Sequence, residues 1–206
     1  TNIGGVAPLC KLMPIQVFDG EFTTNYAIMN GIMHAVKNGA DVVNVSAEPI
    51  FENLSHVDVE IQREFSKRYL KNEEKMWIKL FSKAREKNSI VVLSAGNDHV
   101  LSSVPAQNRS GNAIVVCACD SSNSAISFSN FADCSTISAP GFKILGTFPN
   151  NKSAYISGTS MAAPVVSGVI ALMKSIKSDM QLGNITYVLE HTCTPQKGDI
   201  PGCVNA

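Results

Sequence analysis

The stretch that decides the fold runs from residue 155 to residue 164 and reads YISGTSMAAP. Apolar residues at helical spacing follow it over 165–173, with small residues between them, which predicts a helix packed closely on most sides. We expect Thr159 or Ser160 to cap this helix with a side-chain oxygen, and Pro164 to be tolerated because the first turn has no intrahelical N–H bond to lose. Ser160 then lies where backbone N–H groups and the helix macrodipole favour a developing oxyanion. A nucleophilic serine would gain from this placement.

A lone serine before an apolar helix is, in most proteins, only an N-cap. Here the whole segment 158–164, GTSMAAP, resembles the nucleophile motif of the subtilisin-like serine peptidases, the subtilase family. It does not resemble the Gly-x-Ser-x-Gly motif of the α/β-hydrolases, because Ala162 stands where that motif has glycine. The resemblance implies that Ser160 is the catalytic nucleophile.

A second segment, VVLSAGN at 91–97, ends an apolar strand with two small residues and an amide side chain. Taken alone it reads as an ordinary strand-to-turn junction. Beside the Ser160 motif it resembles the oxyanion segment of the subtilases. That resemblance implies that the Asn97 amide and the Ser160 backbone N–H hold the developing negative oxygen.

The same resemblance implies a substrate groove between two strand ends that would pair an extended peptide as an added strand. Its edges would be Ser46, Ala47 and Glu48 on one side, and Ser94, Ala95 and Gly96 on the other. The family usually has glycines after the strand that ends at Ser46, whereas this chain has Glu48 and Pro49. Pro49 has no N–H to give a peptide, and the Glu48 carboxylate could favour basic side chains.

Composition bounds the class of protein. The 206 residues are 45% hydrophobic and 17% charged, which predicts one globular domain with a sizeable core. Lys plus Arg and Asp plus Glu are equal at 17 each, so we expect neither a nucleic-acid partner nor a membrane partner. The six cysteines show no C-x-x-C pair, and Cys117 and Cys119 are expected to be small core residues on one face of a strand.

Taken in order, the chain alternates strands and helices. We predict strands at 9–18, 41–46, 90–93, 113–118 and 144–148 and short extended segments at 126–128 and 137–138. Helices are predicted after Thr23 or Thr24, around 76–84, after Ser160 and at about 180–190. Alternation of this kind favours a mostly parallel sheet with helices on both faces, buried strands and a ligand site at the carboxyl ends of the strands. The resemblance makes this the three-layer subtilisin-like fold, with residues 1–206 forming a single partial peptidase domain and the charged segment 48–75 a solvated insertion.

No segment matches the family's Asp-Thr/Ser-Gly strand end or its His-Gly-Thr-His helix start, which supply the orienting acid and the general base. Both usually precede the Gly-Val-Ala-Pro loop, which begins here at Gly5. We therefore expect the chain to be the C-terminal part of a catalytic domain, with the Asp and His of the triad upstream. His34, His56 and His191 read as structural or solvated, and His99, two residues beyond Asn97, is a minor candidate for a substitute base.

The sequence therefore predicts a serine endopeptidase that acts through an acyl-enzyme on Ser160. The alternative is a peptide-binding pseudopeptidase that lacks the acid and the base. A nucleotide-binding α/β domain ranks behind both, because no Gly-x-Gly-x-x-Gly or Walker pattern is present. The expected partners are a peptide or protein substrate and the enzyme's own pro-segment, and the resemblance implies a secreted protein. No cofactor is expected to be required, no metal ligand is assigned, and the sequence marks no acidic cluster for the structural calcium of many subtilases.

Overall fold

The structure is a computed structural model that describes residues 4–196 and 199–205, apart from the side chain of Glu52. Within these residues the helices are α1 Asn25–Lys37, α2 Val59–Tyr69, α3 Lys71–Glu86, α4 Thr159–Ile176 and α5 Leu182–Thr192. The strands are β1 Val42–Val45, β2 Ile90–Ser94, β3 Ile114–Cys119, β4 Ile137–Pro140, β5 Ile144–Phe148 and β6 Lys152–Ile156. Short 3₁₀ turns lie at Glu52–Leu54 and Ala106–Ser110.

The central sheet has four parallel strands in the order β1-β2-β3-β4. Because parallel neighbours run the same way, the carboxyl ends of β1 and β2 meet at one edge of the sheet. Strands β5 and β6 form a separate antiparallel hairpin that leads into α4. This topology brings the segments after β1 and β2 to the start of the serine helix.

Alternate residues of β2 face two different hydrophobic cores. Val91 and Leu93 pack with α1 and α3 on one face, whereas Ile90 and Val92 pack with α4 and α5 on the other. Period-two alternation in a strand covered on both faces produces this division. The three-layer α/β fold with helices on both faces of a mostly parallel sheet is thus confirmed.

Helix α1 follows its sequence signals closely. The Thr24 Oγ1 accepts from the Ala27 N–H at 3.1 Å and caps the helix, which ends at Lys37 with Asn38 as its C-cap before Gly39. Gly39 has φ +76°, a conformation that favours glycine. The predicted apolar positions of this helix are buried and face α3 and the sheet: Ile28, Ile32, Ala35 and Val36.

Three predictions about strands are wrong. Residues 9–18 form no strand, and Leu9 and Leu12 are 96% and 86% exposed, because an apolar run becomes a strand only where a neighbouring strand pairs with it. Strand β1 is not buried on both faces: it is an edge strand among the described residues, and its Asn44 is exposed. Residues 126–128 also form no strand, because the chain turns there and the Ser129 N–H donates to the Ile126 carbonyl at 3.0 Å.

Strand β6 was not predicted at all. Lys152–Ile156 carries little apolar alternation, and it forms because the turn at Pro149 and Asn150 folds it back on β5. The last helix begins two residues later than expected, at Leu182, and ends at Thr192.

The charged segment 48–75 contributes α2 and the first turn of α3. Most of its charged side chains are exposed, but Gln62 and Ser66 are buried against the 101–104 loop. The Gln62 Oε1 accepts from the Leu101 N–H at 2.8 Å, and the Ser66 hydroxyl lies 3.0 Å from the Ser103 and Val104 carbonyls. Its interpretation as an insertion stays a prediction, as do the limits of the single domain.

The cysteines are free thiols. Cys117 and Cys119 are fully buried in β3, as the sequence predicts for core residues. The Cys119 Sγ lies 3.1 Å from the Sγ of Cys203, whose segment forms a parallel bridge with Ser138 of β4. The sequence contained no signal for this pair, because the two residues lie far apart in the chain.

Helix α4 is the central helix of the second core. Among the described residues it is the one helix long and apolar enough to cross a membrane, judged by length and composition alone. Here it packs on the sheet through Ala162, Ala163, Val166 and Ile170, all of which are fully buried. Helix α4 is apolar because it packs in the core of the protein.

Candidate active site

Ser160 lies in the first turn of α4, and this turn is capped differently from the prediction. Gly158 is the N-cap and has no side chain to accept a hydrogen bond, so neither Thr159 nor Ser160 serves in that role. Ser160 is half-buried, and within residues 4–196 and 199–205 neither its N–H nor its Oγ makes a hydrogen bond. Both groups are therefore available to a bound molecule at the positive end of the helix macrodipole.

Pro164 also acts differently from the prediction, because it lies beyond the first turn of α4. A proline there cannot donate to the carbonyl four residues earlier, which belongs to Ser160. The Ser46 hydroxyl donates to that Ser160 carbonyl instead, at 3.1 Å. The end of β1 thus supports the backbone of the candidate nucleophile.

Hydrogen bonds between side chains hold the Ser46 hydroxyl in place. The Asn44 Nδ2 donates to the Ser46 Oγ at 3.0 Å, and the Asn44 Oδ1 lies 3.0 Å from the Ser167 hydroxyl of α4. Strand β1 and the residue after it are therefore joined to helix α4 at two points, through Asn44 and through Ser46.

Asn97 follows β2, and its carboxamide is fixed by the residue that precedes Ser160. The Thr159 N–H donates to the Asn97 Oδ1 at 2.8 Å, and the Thr159 hydroxyl donates to the same oxygen at 3.1 Å. Because a backbone N–H can only donate, the atom that faces it must be Oδ1, and Nδ2 must face the groove. The structure brings the Asn97 amide beside the start of α4, as the sequence predicts.

The loop that carries Asn97 is held by Asn130, which is fully buried. The Asn130 Oδ1 accepts from the N–H groups of Asp98 and Val100, both at 3.1 Å, and its Nδ2 donates to the Ala95 carbonyl at 2.9 Å. Gly96 has φ +115°, and any Cβ at this position would collide with the Asn130 amide. Only glycine fits here.

The two edges of the expected groove come together, but their backbones differ. The Ala95 N–H donates to Val116, and its carbonyl accepts from Asn130 and Asn108. Gly96 likewise uses both its N–H and its carbonyl. Neither residue therefore has a free N–H to donate to an added strand in this structure, and the part of these residues in a groove stays a prediction.

On the other edge, the backbone N–H and carbonyl groups of residues 46–48 make no hydrogen bond within the described part of the chain. Only the side chains of Ser46 and Glu48 are hydrogen-bonded there. Any main-chain pairing with an extended peptide would therefore use this edge. Ser94 and Ala95 are buried and would form the floor beneath such a peptide.

Glu48 belongs to this edge and is half-buried, and its carboxyl reaches across to the other edge. Its Oε1 accepts from the Asn97 Nδ2 at 2.8 Å, and its Oε2 accepts from the Ser94 hydroxyl. Burial raises the pKa of the Glu48 carboxyl from 4.5 to about 7; the Ser94 hydrogen bond lowers this pKa, and the negative charge of Asp98 raises it. The amide expected to bind an oxyanion is thus in contact with a carboxylate.

A cavity of about 370 Å³ opens beside these groups, and we call it the Glu48 cavity. Residues 46–50, Phe18, Asn97 and Asp98 line it. Its ionisable lining residues are Glu48 and Asp98, so the lining carries only negative charge.

No histidine of the described chain makes a hydrogen bond with Ser160. His99 is exposed and packs on the Phe131 ring, with 5.2 Å between ring centroids. His34 and His56 are exposed, and the His191 Nδ1 lies 2.8 Å from the Tyr187 carbonyl. A general base for Ser160 is therefore missing from the residues that the structure describes, and the minor role considered for His99 gains no support.

Within residues 4–196 and 199–205, no group of three or more His, Cys, Asp or Glu side chains could hold a metal ion. The expectation of no required cofactor and the unassigned calcium both stay predictions.

Comparison with known proteins identifies relatives of this chain. A model of the subtilase family matches residues 1–203. Thermitase of Thermoactinomyces vulgaris is 30% identical over 200 residues, which are 96% of this chain and 63% of that protein. The major intracellular serine protease of Bacillus subtilis is 32% identical over 86% of this chain and 51% of that protein. A protease from Pseudoalteromonas arctica has the same fold, with a TM-score of 0.79 and 24% identity over 98% of this chain and 62% of that one.

A mostly parallel sheet with helices on both faces, and a serine in the first turn of the buried helix α4, define the class as α/β proteins with the subtilisin-like fold. The chain belongs to the subtilase family. It spans less than two thirds of the length of the relatives compared above.

Several residues of the site were not assigned roles from the sequence. Thr159 lies inside the nucleophile motif, and Asn130 lies in the FSNF segment at 128–131, which also resembles the family, but neither pattern indicated what its side chain does. Asn44 looked like a buried strand residue. Their roles depend on contacts between distant segments, which local patterns do not contain.

Proposed function

We propose that the whole protein, of which this chain is a part, is a serine endopeptidase of the subtilisin type. The observation that carries the proposal is the fixed carboxamide of Asn97, whose Oδ1 is bound by the Thr159 N–H at 2.8 Å, directly beside Ser160. A preorganised donor next to a serine hydroxyl at a helix N-terminus suits the stabilisation of a tetrahedral oxyanion.

In the proposed reaction the Ser160 Oγ attacks the carbonyl carbon of the scissile peptide bond. The carbonyl oxygen becomes negative and accepts hydrogen bonds from the Asn97 Nδ2 and the Ser160 N–H. The amine leaves with a proton, an ester to Ser160 remains, and water then hydrolyses it. A histidine and an aspartate outside this chain are proposed as base and orienting acid, since a serine hydroxyl needs a base to react.

The test is covalent labelling of Ser160 with a fluorophosphonate probe in the protein expressed from its full reading frame. We expect the label on Ser160, no label in Ser160→Ala, and unchanged labelling in Ser153→Ala, which alters an exposed serine of β6. The 206-residue chain alone is expected to stay unlabelled for want of a base. Absence of labelling in the full protein would overturn the proposal.

A peptide-binding pseudopeptidase is the second candidate. It is favoured by one observation, the lack of any hydrogen bond between Ser160 and a histidine in the described chain. Binding of a peptide by the full protein without labelling or cleavage would support it.

The substrate is proposed to be a peptide or protein, and the enzyme's own pro-segment is a further proposed partner. Export from the cell is proposed from the family resemblance alone. One relative is an intracellular protease by name, so the relatives do not agree on location.

A further inference from the structure

The Glu48 cavity lies directly beside the proposed oxyanion donor. The Glu48 Oε1 is 2.8 Å from the Asn97 Nδ2, the same nitrogen that would bind the scissile carbonyl oxygen. The side chain of the residue that contributes this carbonyl would therefore begin close to the Glu48 carboxylate. An amide nitrogen carries two hydrogens, so the Asn97 Nδ2 can donate to Glu48 and to the neutral scissile carbonyl oxygen of a bound peptide together.

The charge of the cavity calls for a cation. Glu48 receives only neutral donors, from Ser94 and Asn97, and within the described chain no lysine, arginine or histidine nitrogen lies within ion-pair distance of it. The Asp98 carboxylate also lines the cavity, and its Oδ2 accepts from the Phe51 N–H at 2.8 Å. A half-buried carboxylate without a cationic partner is costly, and a ligand that brings the cation would offset this cost.

The other walls suit a long aliphatic stem. Phe18, Pro49 and Ile50 line the cavity, and Phe18 and Ile50 are 41% and 77% exposed. Lysine and arginine bury their methylene stems along apolar surface while the charged head reaches a polar partner. Apolar walls with a carboxylate between them match such side chains.

We propose that Glu48 determines specificity, selecting peptides whose scissile carbonyl belongs to a lysine or arginine, with the cationic side chain in the Glu48 cavity. This inference rests on the proposed function, because it assumes that the Asn97 amide binds the scissile carbonyl. Glu48 acts on substrate choice and takes no part in bond breaking. A glutamate side chain on the substrate is excluded by repulsion from the Glu48 carboxylate.

The test uses the full protein carrying Ser160→Ala, so that peptides bind without being cleaved. Two fluorescent peptides are identical except that one has lysine and the other norleucine, its uncharged analogue, at the selected position. Fluorescence anisotropy is expected to show about 10-fold tighter binding of the lysine peptide, the size of one desolvated charge-assisted hydrogen bond. The arginine peptide should behave like the lysine peptide.

Adding Glu48→Gln to the Ser160→Ala protein keeps the shape of the side chain and the oxygen that accepts from Asn97, but it removes the negative charge. The affinities for the lysine and norleucine peptides should then agree within about 2-fold. Glu190→Gln, on the exposed side of α5, is the matched control and should leave the preference intact. As a second measurement, raising the salt concentration should weaken the binding of the lysine peptide more than the binding of the norleucine peptide.

Equal binding of the lysine and norleucine peptides, or a lysine preference that survives Glu48→Gln, overturns the inference. Failure of the proposed function looks different. In that case the unmodified full protein shows no fluorophosphonate labelling, while the lysine preference and its loss in Glu48→Gln are still measured.

Discussion

At the scale of single residues, Thr159 does more than its place in the motif indicates. Its hydroxyl accepts from the Gly96 N–H at 3.2 Å and donates to the Asn97 Oδ1 at 3.1 Å, and the residue is fully buried. One side chain thus joins the helix that carries Ser160 to the loop that carries Asn97.

We expect Thr159→Val, which keeps the shape but removes the hydroxyl, to lower the free energy of unfolding by about 1–3 kcal/mol. The physical reason is that the buried Gly96 N–H loses its acceptor. Urea unfolding measures the loss, and in the full protein the rate of fluorophosphonate labelling should fall as well. Thr159→Ser restores the hydroxyl and should recover most of both; an equal loss in Thr159→Ser would contradict the assigned role.

Glu48 predicts a pH dependence with a definite sign. The pKa of Glu48 is about 7 in the folded chain and near 4.5 in the unfolded chain. At a pH between these two values the folded chain therefore binds more protons than the unfolded chain does. The contribution of Glu48 to the free energy of unfolding therefore falls as pH rises from about 4.5 to 7, and it is constant above pH 7.

Glu48→Gln has no such ionisation, so it should be more stable than the parent chain at pH 8, by about 1–3 kcal/mol, and nearly equal at pH 4.5. Urea unfolding at the two pH values measures the difference. If the two chains differed in free energy of unfolding by the same amount at both pH values, burial would not raise the pKa of Glu48.

At the scale of elements, the contact between the end of β1 and the first turns of α4 depends on Pro164. Because Pro164 has no N–H, the Ser160 carbonyl is left to the Ser46 hydroxyl. The proline therefore makes the helix depend on a neighbouring strand for one backbone hydrogen bond.

A double-mutant cycle tests this dependence. Ser46→Ala should cost about 1 kcal/mol in the parent chain and close to nothing in Pro164→Ala, where the N–H introduced at position 164 replaces the lost donor. Ser175→Ala is the control, since its hydroxyl donates to the Leu172 carbonyl near the other end of α4. Independent, additive costs for Ser46 and Pro164 would refute the coupling.

At the scale of the whole molecule, α4 both carries Ser160 and fills the core on one face of the sheet. Ile170 is fully buried there, whereas Leu172, two residues further on, is 41% exposed. The stability of this layer and the position of the site therefore depend on the same helix.

Ile170→Ala should lower the free energy of unfolding by about 2–5 kcal/mol, because it removes apolar contacts and leaves a cavity. Leu172→Ala removes a half-exposed side chain of similar size and should cost about 0.5 kcal/mol. Urea unfolding with an unchanged m-value measures both. Similar costs for the two variants would mean that α4 does not pack as described.

The sequence by itself determined the motifs and the local elements. Helical spacing after Ser160, the Thr24 cap and the apolar runs of β2 and β3 each depend on residues close in the chain, and the structure has them where these signals predict. The family, too, was identified from the segments around Ser160 and Asn97, because those short motifs are specific.

Only the tertiary structure decided how those segments act on one another. It showed that 9–18 is not a strand, that Gly158 is the N-cap of α4, and that Ser46 serves the carbonyl left by Pro164. It also placed Glu48 against Asn97. Each of these depends on a hydrogen bond or a missing neighbour between residues far apart in the chain, and local propensity carries no information about such contacts.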